Sequence, residues 1–68
     1  MDKIKVGDKV QIIGNTKIHH HLAVPSTAEV IDMDFTGVKV FGYGYDGWMY
    51  DQWVSLVDIE PIRKAVVL

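Results

Sequence analysis

Three adjacent histidines, His19-His20-His21, are the residues of this 68-residue chain whose types and spacing most suggest chemistry. In an extended segment neighbouring side chains point to opposite sides, so only His19 and His21 share a side. Two imidazoles can begin a metal site. A third ligand would have to come from an acid elsewhere, such as Asp2 or Glu29, and no spacing singles one out. The His-x₃-His helical pattern is absent, and without cysteine there is no thiolate ligand, disulfide or cysteine nucleophile. The expectation is a loop in which His19 and His21 meet a partner or change charge below about pH 6.5, with no metal or cofactor bound.

Catalytic patterns are sparse. Asp46 and Asp51 flank a turn, and Ser26-Thr27 lie in a loop, but no serine sits in a nucleophile elbow and no paired carboxylates stand out. Gly42-Tyr43-Gly44-Tyr45-Asp46-Gly47 matches the letters of a dinucleotide fingerprint. That fingerprint needs a strand opening into a helix, and this segment reads as a hairpin. No enzymatic activity is expected.

The elements that would position these groups are all strands. Apolar residues do not recur at helical spacing over any long window. Short runs rich in Val, Ile, Tyr and Trp are instead punctuated by glycines. Strands are expected at residues 9–13, 28–34, 37–44, 48–54 and 59–62, with Pro61 tolerated because the last strand lies at an edge. A turn spans Asp34-Phe35-Thr36-Gly37, a single 3₁₀ turn covers Ser55-Leu56-Val57, and the histidines fall in a long loop at 16–27. Residues 1–62 form one all-β domain, a five-stranded small barrel, and 63–68 are a tail.

Asp46-Gly47 between two β-rich runs predicts a two-residue type I′ turn. That turn sets Tyr43 opposite Tyr50 and Val40 opposite Trp53. One face then carries Phe41, Tyr43, Tyr45, Trp48, Tyr50 and Gln52, and the other Val38, Val40, Gly42, Gly44, Met49, Asp51 and Trp53. The second face reads as core. The first is an aromatic ladder that either points outward to a protein partner or a second copy, or folds back into the core.

Length and composition bound the rest. A chain of 68 residues allows one small domain, and 49% hydrophobic residues supply a core. The net charge of −2 hides a split. Lys3, Lys5, Lys9 and Lys17 against Asp2 and Asp8 leave the first 27 residues at +2, whereas 28–62 carry Lys39 against seven acids and total −6. A pI near 5.8 disfavours nucleic acid as a partner. The start Met1-Asp2-Lys3-Ile4-Lys5-Val6 carries no apolar run after its charges, and no stretch approaches a membrane span, so no membrane association and a cytoplasmic location are expected.

Three segments carry a resemblance. Val6-Gly7-Asp8-Lys9-Val10-Gln11-Ile12 resembles the G-D-x-V entry of SH3-like small barrels. Ala28-Glu29-Val30-Ile31 stands where they have a Gly-Thr-Val-Val-like strand. Gln52-Trp53-Val54, Leu56 and Asp58-Ile59-Glu60-Pro61-Ile62 resemble their closing 3₁₀ turn and last strand. The resemblance spans residues 6–62 and implies a lone small barrel of bacterial or phage type. Ala28 stands where KOW-type modules have glycine, and the long arm lacks the acids of a proline-rich-peptide site. The function expected is a non-enzymatic protein-binding module. The alternative is a nucleic-acid-binding barrel whose aromatics stack on bases while Lys3, Lys5, Lys9 and Lys17 follow phosphates.

Overall fold

A computed structural model describes residues 4–62 and is all-β. Strands β1 (Lys9–Ile12), β2 (Ser26–Met33), β3 (Val38–Tyr43) and β4 (Met49–Val54) precede a 3₁₀ turn, Leu56–Asp58, and β5 (Ile59–Pro61). All pairings are antiparallel, in one sheet of order β4-β3-β2-β1-β5. The last strand does not close the sheet onto β4, as a closed barrel requires; it pairs with β1 and leaves β4 and β5 as the two edges. The expected tail at 63–68 lies outside the described residues.

Alternation builds the core. Val10 and Ile12 of β1, Ala28 and Val30 of β2, Val38 and Val40 of β3, Val54 of β4 and Ile59 of β5 all turn to one side and are buried there with Leu22 of the long loop. Each full burial of such a side chain stabilises by about 1.5–3 kcal/mol. Among the described residues this core is entirely aliphatic, and Tyr50 packs only against its margin. The hairpin aromatics therefore do not form the centre of the domain.

Two local devices hold the register. A bulge at Ile31 shifts the β2–β3 pairing between Val30 and Asp32, so that Asp32 faces Lys39. The turn after β2 stands where expected: Asp34 Oδ1 accepts from Thr36 N (2.8 Å), Thr36 Oγ1 (2.6 Å) and Gly37 N (3.1 Å). The Thr36 hydroxyl, then the Thr36 and Gly37 amides, hold the Asp34 carboxyl below its ordinary range.

The long loop is not free-standing. Leu22 bridges Gly44, and Ala23 N donates to Tyr43 O (2.8 Å), so residues 22–23 lie along the end of β3. At its base, Ile13 N donates to Asp58 O (2.8 Å). The Asp58 side chain, buried at 2% exposure, accepts from Thr16 Oγ1 (2.8 Å), Thr16 N (3.0 Å) and Lys17 N (3.4 Å). A carboxylate from the 3₁₀ turn thus ties down a loop 41 residues earlier in the chain.

Candidate functional site

The β3–β4 hairpin differs from the expected one by a single residue, and that residue sorts the site. Gly44 N donates to Trp48 O (2.9 Å) and Gly47 N to Gly44 O (3.1 Å), so the loop is the three residues Tyr45-Asp46-Gly47. Gly47 alone takes positive φ, +85°, and Asp46 does not. This is a type I turn followed by a left-handed glycine, not a type I′ turn. Asp46 supports it by accepting from Trp48 N (3.0 Å).

The extra loop residue slips the register. Tyr43 pairs with Met49, Gly42 with Tyr50, Phe41 with Asp51, Val40 with Gln52 and Lys39 with Trp53. A slip of one transfers every side chain of one strand to the other face. The β3 sorting stands, with Val38, Val40 and Gly42 inward, but β4 is reversed. Met49, Asp51 and Trp53 join Phe41 and Tyr43 on the outer face, while Tyr50, Gln52 and Val54 turn inward. One clue to this was present in the sequence: the two-residue turn put Asp51 on the core face without a partner, a costly placement. Outside, Asp51 instead meets Lys39 at 3.4 Å.

The single aromatic ladder is therefore divided between two surfaces. The outer one holds Phe41, Tyr43 and Met49, all exposed, with half-buried Trp53 diagonal to Phe41. Around them lie two ion pairs, Lys39–Asp51 and Lys9–Glu29 (2.9 Å), so the surface is apolar at its centre and nearly neutral at its rim. Trp48, 72% exposed, stands apart at the loop end.

The second surface is an open groove of about 590 Å³ between the histidine loop and the hairpin tip, lined by Asn15, His19, His20, His21, Tyr45, Asp46 and Tyr50. The Tyr50 hydroxyl donates to Asp46 Oδ2. That bond, with the Trp48 amide, holds the Asp46 carboxyl below its usual range, and raises the Tyr50 phenol. Tyr45 Oη accepts from Val24 N (3.0 Å), fastening the hairpin tip to the loop.

His19 and His21 share a side, as alternation requires, with ring centroids 5.3 Å apart and planes at 82°. His20 points inward and is buried. Its Nδ1 accepts from Leu22 N (3.1 Å), which leaves Nε2 as the donor to Gly14 O (2.8 Å). The Asn15 amide brackets the His20 backbone, donating to its carbonyl (2.9 Å) and accepting from its N–H (3.1 Å). His20 is thus a structural residue of the loop. Among the described residues no three His, Cys, Asp or Glu side chains converge as metal ligands.

Of the residues expected to meet a partner, Phe41 and Tyr43 lie together on the outer face, Tyr45 and Tyr50 line the groove with His19 and His21, and Trp48 belongs to neither. Met49 and Trp53 join the outer face only through the observed register. Asp46 and Asn15 enter through the fold of the loop. No known protein family, curated protein or solved structure matches this chain. Among the described residues no helix is long and apolar enough to cross a membrane.

Proposed function

We propose that this chain is a non-enzymatic protein-binding module that docks a partner protein on the outer face of its β3–β4 hairpin. The observation that carries the reading is the contiguous exposed group Phe41, Tyr43 and Met49. Tyr43 and Met49 are direct cross-strand partners, and Phe41 is two residues from Tyr43 on the same face. Aromatic side chains give large contact area at small entropic cost, methionine adds an adaptable apolar contact, and such groups ringed by paired charges suit the centre of an interface. The strand order and the 3₁₀ turn before β5 support an SH3-like small barrel, left open between β4 and β5.

Two further observations favour this reading over its rivals. On the outer face Glu29, Asp32 and Asp51 stand beside Lys9 and Lys39, so a phosphate backbone would meet more acids than bases. In the groove, Asp46 is engaged by Tyr50 and Trp48 and stays ionised at neutral pH, which unsuits it for general acid work.

The test is capture from lysate of the cell of origin with wild-type chain and the Phe41→Ser/Tyr43→Ser variant. Both side chains are exposed, so the double change is expected to lower stability by only about 1 kcal/mol. The circular dichroism spectrum should be retained while a protein captured by wild type is lost. A variant that captures the same proteins, or one that unfolds, overturns the reading.

A further inference from the structure

On its hairpin side the groove below the histidine loop has no free side-chain donor. The Tyr50 hydroxyl donates to Asp46 Oδ2, and the Tyr45 hydroxyl to Val24 O (3.4 Å). On the loop side, both ring nitrogens of His20 are engaged by backbone, and the Asn15 amide is held at both ends by the His20 backbone.

What stays open is mainly acceptors. Asp46 accepts one bond at each oxygen, from Trp48 N and from the Tyr50 hydroxyl, whereas a carboxylate has about four acceptor sites. The exposed His19 and His21 rings meet edge to face and take no hydrogen bond among the described residues, so each neutral imidazole can turn an acceptor nitrogen to a ligand.

Charge points the same way. Asp46 is the only carboxylate lining the groove, no lysine or arginine lines it, and neither ion pair among the described residues uses it. The Tyr50 hydroxyl and the Trp48 amide keep that carboxyl ionised at neutral pH. The groove therefore sets one uncompensated negative charge among the rings of Tyr45, Tyr50, His19 and His21. It also belongs to the acidic part of the chain, whose field draws in basic partners.

We propose that this groove binds the guanidinium group of an arginine side chain presented by a partner protein. A guanidinium has five N–H donors and no acceptor, keeps its charge at any ordinary pH, and is planar, so it can reach Asp46 and an imidazole together while stacking on an aromatic ring. A lysine ammonium is compact and strongly hydrated, and fits such a spread of acceptors less well. An anion would meet Asp46 with no cation to offset it. The groove is separate from the outer hairpin face, so the inference does not rest on that reading.

Amide NMR titration of the full chain with N-acetyl-arginine methylamide tests it. Saturable shifts should appear at His19, His21, Asp46 and Tyr50, with a Kd of about 1–10 mM for the isolated side chain. The citrulline counterpart, neutral because a carbonyl oxygen replaces one guanidinium nitrogen, should give none. The lysine counterpart should bind about threefold more weakly. Asp46→Asn, which can still accept from Trp48 N, should weaken binding about tenfold. His19→Ala/His21→Ala removes two exposed rings and should weaken it severalfold; this pair and the citrulline comparison decide the matter if Asp46→Asn fails to fold. Absence of saturable shifts up to about 50 mM overturns the proposal. So do shifts spread over Asp32, Asp34 and Asp51, equal binding of citrulline, or full affinity in the histidine double variant, which would mark a bare ion pair with an exposed carboxylate.

Discussion

Replacing Asp58 with alanine is expected to destabilise the domain by about 3 kcal/mol, read as a lower urea midpoint with an unchanged slope. Three donors lose their acceptor at once: Thr16 N, Thr16 Oγ1 and Lys17 N. These bonds go to a charged group in a buried setting, where they are stronger than neutral ones and where orphaned donors are costly. Small domains have total stabilities of about 5–15 kcal/mol, so such a loss would leave a substantial unfolded fraction. Amide resonances of residues 14–18 should shift first, because the carboxylate is what holds the loop base to the 3₁₀ turn.

The same residue sets part of the acid response. Burial alone would push the Asp58 carboxyl up, but the bonds from Thr16 and Lys17 more than offset it and hold it below its ordinary value. A carboxyl lowered in the folded state contributes stability that is present above its unfolded value, near pH 3.9, and is lost as pH falls through the folded value. Asp58→Asn keeps the shape without the charge. It should therefore be less stable than wild type at pH 7, with the difference narrowing below about pH 4. A constant difference from pH 7 to pH 2 would show that the carboxylate charge plays no part.

Gly44→Val should be nearly as damaging, by about 2–3 kcal/mol. Three segments converge on this residue. A Cβ built there would stand 2.7 Å from Tyr50 Cε2, 3.0 Å from Asp46 Oδ1 and 3.0 Å from the His21 carbonyl oxygen. The Tyr50 ring cannot swing away without giving up its bond to Asp46, and the His21 carbonyl is backbone beside the Leu22 bridge. The valine would pry the histidine loop from the hairpin. Chemical shifts at His19 and His21 should move toward unfolded values while those of β1 and β2 remain native. If the loop shifts stay native, the groove does not depend on this contact.

Much of the chain's architecture is legible in local pattern. Val10 and Ile12 alternating with Lys9 and Gln11 mark β1, and Asp34 with Gly37 marks a turn that the structure places at the same residues. The 3₁₀ turn appears one residue later than expected, capped by Ser55, whose hydroxyl accepts from Val57 N (3.4 Å). The candidate site is less legible. Asp-Gly between β-rich runs is compatible with both a two-residue and a three-residue loop, and local preference does not separate them. The choice made by the whole sheet, which buries Val54 beside Val38 and exposes Asp51, divided the aromatics between a face and a groove.

By itself the sequence determined an all-β domain: its strands, the Asp34–Gly37 turn and the inward alternation of β1 and β3 depend on neighbours in the chain and on which side chains avoid water. Only the tertiary structure decided the hairpin register, the burial of His20 with His19 and His21 left outside, the tie from Asp58 to Thr16 and, among the described residues, the strand order that puts β4 at one end of the sheet. Each of these depends on groups far apart in sequence competing for the same partner or the same space. Period-two alternation says which residues share a side within one strand, but a long-range contact must choose which side that is.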